Sequence, residues 1–187
     1  MRIIGGSSKK RKLTPLSGKD IRPTADRLRE SIFNIISPFV DNAVSLDLFA
    51  GTGALGIEAL SRGADFCCFI DNNKKALDLI KKNLALCRFE NKSMVKKWDI
   101  ARNLDCLLSI HWEFDLVFMD PPYHQKMILP ALDHLHRTLK VKNAATIVIE
   151  HALLEAIPEN LSCYRIIDQR QYGKTAITIL TYFAPKL

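Results

Sequence analysis

Leu46-Asp47-Leu48-Phe49-Ala50-Gly51-Thr52-Gly53-Ala54-Leu55-Gly56 is the stretch that decides the fold. An apolar run from Val44 to Phe49 reads as a buried strand, and the glycines behind it open a helix over Ala54–Arg62 that Gly63 closes. Strand, glycine loop and helix in that order form the first half of a βαβ unit. Downstream the alternation repeats. Phe66–Asp71 reads as a strand and Lys74–Cys87 as a helix with Ala76, Leu77, Ile80 and Leu84 inward. Ser93–Trp98 and Phe114–Asp120 are further strands, with a short helix near Leu104–Leu108 between them. A helix over Met127–Leu139 and a strand over Ala145–Glu150 follow. Tyr164–Gln171 and Thr175–Phe183, joined at Tyr172-Gly173-Lys174, predict a closing hairpin. The expected fold is α/β and Rossmann-like, with a mostly parallel sheet whose ligands sit at the carboxyl ends of the strands.

Gly51, Gly53 and Gly56 satisfy G-x-G-x-x-G, a pattern that serves a dinucleotide or S-adenosylmethionine alike. Phe49, Ala50, Gly51, Thr52, Gly53, Leu55 and Gly56 form the expected cradle. Asp47 discriminates between the two ligands. Beside a pyrophosphate its carboxylate repels, whereas beside the ammonium of a methionine moiety it attracts. Its plain alternative is a strand residue facing solvent. Asp71, ending the second strand, can accept from both ribose hydroxyls, sharing the task with Asn72, or can cap the following helix. Asp99, with Ile100 beside it, is placed to meet the adenine amine or to cap the next helix.

Asp120-Pro121-Pro122-Tyr123 follows the apolar run Phe114–Met119. Each proline ring locks φ and removes a donor, so the backbone is stiff. The Asp120 carboxylate and the Pro121 carbonyl then present two fixed acceptors, with the flat face of Tyr123 beside them. That set suits a planar base carrying an exocyclic amine. Together with the glycine loop it is the layout of an amino methyltransferase.

The 187 residues fit one domain, read as a basic arm over 1–22 and a catalytic unit over 23–187. Of the net charge of +7, residues 1–30 carry +6, from nine Lys/Arg against three Asp/Glu. That concentration is the footprint of a polyanion contact. Residues 1–22 read as a flexible or hairpin-like arm carrying Lys9, Lys10, Arg11 and Lys12. A helix starts at Pro23-Thr24 with Thr24 as its cap, and Leu28, Ile32, Ile35, Ile36 and Phe39 on one face. Arg22, Thr24, Arg27 and Arg29 complete the expected nucleic-acid surface. Five scattered cysteines lack a C-x-x-C pair, so neither a metal site nor a disulfide framework is predicted. No apolar leader or membrane-length run occurs, which predicts a cytoplasmic protein. Glu150-His151 ends the fifth strand, where it can line the site or, as the favoured reading, serve the structure; His134 and His136 are two apart on a helix and point different ways, so no metal pair is expected.

Arg2-Ile3-Ile4-Gly5, Ile21-Arg22-Pro23-Thr24, Asp26-Arg27 and Arg29-Glu30-Ser31-Ile32-Phe33-Asn34 resemble the N-terminal signature of the RsmD family. The run Leu46 to Ala64, Asp120-Pro121-Pro122-Tyr123 and Tyr172-Gly173-Lys174-Thr175 are similar to its later motifs. The resemblance spans the whole chain. It implies a class I methyltransferase fold with a seven-stranded sheet ending in the antiparallel hairpin. It also implies S-adenosylmethionine as cofactor and, as target, the N2 amine of a guanine in 16S ribosomal RNA, on the small subunit or its assembly intermediate. The competing readings are a DNA or RNA adenine-N6 or cytosine-N4 methyltransferase, a nucleotide-dependent oxidoreductase, and a non-catalytic RNA-binding assembly factor.

Overall fold

The computed structural model describes residues 1–15 and 23–184, with the side chains of residues 23–25 outside the description. Seven strands form one sheet in the order β3-β2-β1-β4-β5-β7-β6. They are β1 (Val44–Leu48), β2 (Phe66–Asp71), β3 (Ser93–Lys97), β4 (Phe114–Met119), β5 (Val141–Ala152), β6 (Tyr164–Tyr172) and β7 (Thr175–Tyr182). The first five pair in parallel, and β7 runs antiparallel between β5 and β6. The helices are α1 (Pro23–Ile35), α2 (Ala54–Ser61), α3 (Lys74–Cys87) and α4 (Ile128–Thr138).

Strand alternation splits the core into two layers. On one face Phe69, Leu116, Phe118, Val148 and Ile179 pack against α1, α2 and α3 through Ile32, Phe33, Ile57, Leu60 and Ile80. On the other, Leu46, Leu48, Ile70, Val117, Met119 and Ile149 meet Leu132 and Leu135 of α4 and the 100–110 segment. The chain reverses its lateral direction between β1 and β4, so a crevice opens at their carboxyl ends. All five cysteines are free thiols, four of them buried. Among the described residues no helix is long and apolar enough to cross a membrane.

Several local expectations change. The fifth strand is longer than Ala145–Glu150, beginning at Val141. The segment near Leu104–Leu108 is a single 3-10 turn, Asp105–Leu107. Pro23 already belongs to α1, so Thr24 lies inside the first turn rather than at the cap, a place proline suits because its missing N–H is not needed there. Phe39 is exposed, and Phe33 takes the inward place instead.

Of the basic arm, residues 1–15 are described, and they form a hairpin fastened to the rest of the chain. Ile3 N donates to Arg11 O, Lys10 N to Ile3 O and Leu13 N to Met1 O. Ile3 and Leu13 are buried in the helical core layer. Gly6 sits at φ 72°, and a Cβ there would lie 1.6 Å from Ser61 O, so the arm's turn and the end of α2 are in backbone contact.

Candidate active site

The cofactor loop is built by left-handed backbone at Phe49 (φ 58°), Gly51 (φ 54°) and Gly53 (φ 75°). The three glycines of the motif have different reasons. A Cβ on Gly56 would come within 2.4 Å of Phe69 and 2.5 Å of Cys67 Sγ, so that glycine lets α2 lie close on β2. A Cβ on Gly53 would press on Ile57, Ile80 and Phe69. Beside Gly51 the nearest atom to a Cβ would be 3.9 Å away, which leaves its face open for a ligand to approach the backbone. The residues therefore fit a nucleoside-bearing cofactor.

Asp47 is only 2% exposed, so the solvent-facing alternative is excluded. Its Oδ2 accepts from Gly56 N at 3.0 Å, tying β1 to the first turn of α2. Burial pushes its carboxyl up to about 8, opposed by the Gly56 N–H and reinforced by the charge of Asp71. Asp71 accepts from Gly51 N at 2.9 Å and from Asn73 N at 2.8 Å. An ionised carboxylate has about four acceptor positions, so two remain for ribose hydroxyls. The helix cap that was the alternative role for Asp71 belongs to Asn73, whose side chain accepts from Lys75 N at 2.9 Å; Asn72 is exposed beside it. Asp99 is exposed and closes a tight turn by accepting from Ala101 N, so it caps no helix. Ile100 points its side chain into the core at 3% exposure, and its carbonyl meets His134 Nδ1 at 3.0 Å. Leu55 and Thr52 are half-buried on the loop.

On the neighbouring strand, Leu48 pairs with Met119, so Phe49 and Asp120 leave the sheet side by side. Asp120 is exposed, Pro121 buried and Pro122 exposed. Tyr123 is 39% exposed, and its hydroxyl donates to Glu150 Oε1 at 3.1 Å and lies 3.2 Å from Thr175 Oγ1. Burial and the charges of Glu150 and Asp120 hold its phenol well above the usual tyrosine range. The ring is thus anchored at one end while keeping an open face. Thr175 belongs to the Tyr172-Gly173-Lys174-Thr175 motif, which carries the closing hairpin to the site; Tyr172 also bonds Ser31 of α1. Neither anchor of Tyr123 was expected, since the sequence places both far from residue 123.

The basic surface divides. Lys9, Lys10, Arg11, Lys12 and Arg27 are exposed. Arg11 also donates from Nη1 to Leu86 O of α3. Arg22 lies outside the described residues, as does the Thr24 side chain. Arg29, expected to contact nucleic acid, is buried at 4% exposure. It stands one turn before Phe33 on the inward stripe of α1, whereas Arg27, two residues earlier, faces away. Arg29 pairs with Asp26 at 3.0 Å and approaches Glu58 at 3.6 Å. Glu58, fully buried, accepts from Ile4 N at 2.8 Å, Gly5 N at 2.7 Å and Arg62 Nε at 2.7 Å. This hub was missed, although a lone carboxylate in the otherwise apolar helix Ala-Leu-Gly-Ile-Glu-Ala-Leu-Ser was the signal for it. Asn83 is a second unforeseen link. It is fully buried, accepts from Thr14 N at 2.8 Å, and donates to the carbonyls of Thr14 and Thr52 at 3.2 and 3.0 Å.

A mostly parallel sheet with its crevice at β1 and β4, an open glycine loop and an Asp-Pro-Pro-Tyr end beside it fit a Rossmann-like methyltransferase, for which S-adenosylmethionine is the cofactor. The model of the family described as Conserved hypothetical protein 95 matches residues 1–181, and the chain belongs to that family, the RsmD family. It is 37% identical over 179 residues to YlbH of Bacillus subtilis, covering 96% of this chain and 97% of that one. It is 33% identical over 168 residues to the ribosomal RNA small subunit methyltransferase D of Escherichia coli, covering 88% and 83%. The solved structure of Escherichia coli yhhF superposes with a TM-score of 0.85 at 30% identity, covering 99% of both chains.

Proposed function

We propose that this protein methylates the exocyclic N2 amine of a guanine in small-subunit ribosomal RNA. The observation that carries the reading is the placement of Asp120-Pro121-Pro122-Tyr123 beside the glycine loop, at adjacent strand ends. The names of the relatives support the class of RNA. In this reading the catalytic unit over 23–187 and the basic arm over 1–22 work as one cytoplasmic domain. Lys9, Lys10, Arg11, Lys12 and Arg27 meet the phosphates.

When bound, S-adenosylmethionine supplies an electrophilic methyl group. The chain's task is to prepare the nucleophile, because the lone pair of an aryl amine is delocalised into its ring. The Asp120 carboxylate and the Pro121 carbonyl accept the two amine protons, which favours pyramidal nitrogen and aims its lone pair. This is positioning and electrostatics rather than strong-base catalysis. Tyr123 stacks on the base, a contact worth roughly 1–3 kcal/mol. That offsets part of the few kcal/mol, in order of magnitude, needed to unstack the nucleotide. Asp120 or a water receives the proton released by the amine. Gly51 and Asp71 hold the nucleoside of the cofactor, and Asp47 holds the loop through Gly56.

The test is transfer of labelled methyl from S-adenosylmethionine to unmodified small subunits, free 16S RNA and duplex DNA in parallel. The expected product is N2-methylguanosine from RNA. N6-methyladenine, or product from DNA alone, would overturn the proposal.

A further inference from the structure

Asp120 has a second carboxylate for a neighbour. Met119 pairs with Ile149 across β4 and β5, so the next residues on the two parallel strands are Asp120 and Glu150. Neighbouring strands lie about 4.8 Å apart. Met119 and Ile149 both turn into the core layer under α4, and alternation turns Glu150 to the opposite face. Tyr123 confirms the grouping, since its hydroxyl donates to Glu150 Oε1 at 3.1 Å and feels the charges of both Glu150 and Asp120.

Three of the nucleic-acid bases carry an exocyclic amine, and they differ at the ring nitrogen beside it on the Watson–Crick edge. Guanine has a donor there, N1–H. Adenine has the bare N1 and cytosine the bare N3, each with a lone pair in the same place. A second carboxylate next to the amine acceptors attracts the first and repels the other two.

We infer that Glu150 is the residue that selects guanine: its carboxylate accepts from N1–H while Asp120 and the Pro121 carbonyl hold the N2 amine. The inference rests on the methyl-transfer reading given above and adds the determinant of base choice to it. It also gives Tyr123 a double role, as stacking surface and as the group that orients Glu150.

The experiment compares wild-type protein with Glu150→Gln, Glu150→Asp and Tyr123→Phe on unmodified small subunits and free 16S RNA, resolving methylated nucleosides. Melting and calorimetric binding of S-adenosylmethionine are followed for each variant. Glu150→Gln is expected to lower kcat/KM for N2-methylguanosine by about a hundredfold or more, because a site built to pair a substrate N–H discriminates strongly. The ratio of N2-methylguanosine to N6-methyladenosine falls with it, while cofactor affinity is retained. Glu150→Asp keeps the carboxylate and the ratio. Tyr123→Phe removes the same hydrogen bond from its other end and lowers the rate without changing the ratio. Guanine methylation by Glu150→Gln at the wild-type rate, or equal losses in Glu150→Gln and Tyr123→Phe at an unchanged ratio, overturns the inference alone. A wild-type protein that yields N6-methyladenosine overturns the proposed function as well.

Discussion

Two carboxylates of this site differ in what surrounds them. Asp120 is exposed at a strand end, and its replacement by alanine removes the acceptor proposed for the amine without touching the glycine loop. Methyl transfer by Asp120→Ala is expected to fall below detection in a radiolabel assay, with calorimetric affinity for S-adenosylmethionine kept within a fewfold. Turnover at the wild-type rate would refute the positioning role. Asp47 is buried, with its carboxyl raised from 3.8 to about 8. Folding therefore favours its neutral form. The stability this contributes is fully present below about pH 4 and is lost as pH rises through about 8, by at most about 1.4 kcal/mol per pH unit. Melting temperature should decline between pH 5 and pH 8, and Asp47→Asn should flatten that decline. An identical slope in the variant would show that other groups set it. The sequence reading placed Asp47 at the cofactor. Its burial was not legible there, because that depends on α2 closing over β1.

At the scale of elements, the strands and helices followed from apolar periodicity, since buried parallel strands and amphipathic helices leave different spacings. What periodicity did not show was which polar residues the packing would enclose. Arg29 and Arg27 carry the same charge two positions apart, yet one is buried and the other faces solvent. Helix phase turns Arg29 inward, and Glu58 meets it there, since a buried carboxylate attracts Arg29 from α1 and Arg62 from its own helix. Glu58→Ala leaves both guanidinium groups and the Ile4 and Gly5 N–H groups without that partner. Breaking a buried pair from one side costs about 3–5 kcal/mol, and chemical denaturation should report a loss of that order. A loss under about 1 kcal/mol would mean that water replaces the carboxylate. The same logic limits what could be read of the Tyr123 anchors. Glu150 and Thr175 reach residue 123 only through the β4-β5-β7 order of the sheet.

For the whole molecule, the concentration of positive charge in the first thirty residues was legible from counting alone, whereas the docking of the arm was not. Because Ile3 is fully buried, deleting the arm would unmake part of the core as well as its charge. Reversal of Lys9, Lys10 and Lys12 to glutamate tests the charge by itself. If about five cations, Lys9 to Lys12 and Arg27, neutralise phosphates, log affinity for 16S RNA should fall with log salt at a slope of roughly −3.5 to −4.5. The triple reversal should flatten that slope at unchanged melting temperature. An unaltered slope would remove the arm from the RNA surface.

The Asn83 amide gives the arm a further consequence for anyone recombining this protein with its relatives. One side chain of α3 serves both Thr14 at the arm's exit and Thr52 in the cofactor loop. All three partners are main-chain atoms, so an arm of different sequence keeps the tether provided residue 14 is not proline. Residue 83 is what such an exchange must leave alone, because losing its amide unpins the arm and the cofactor loop together.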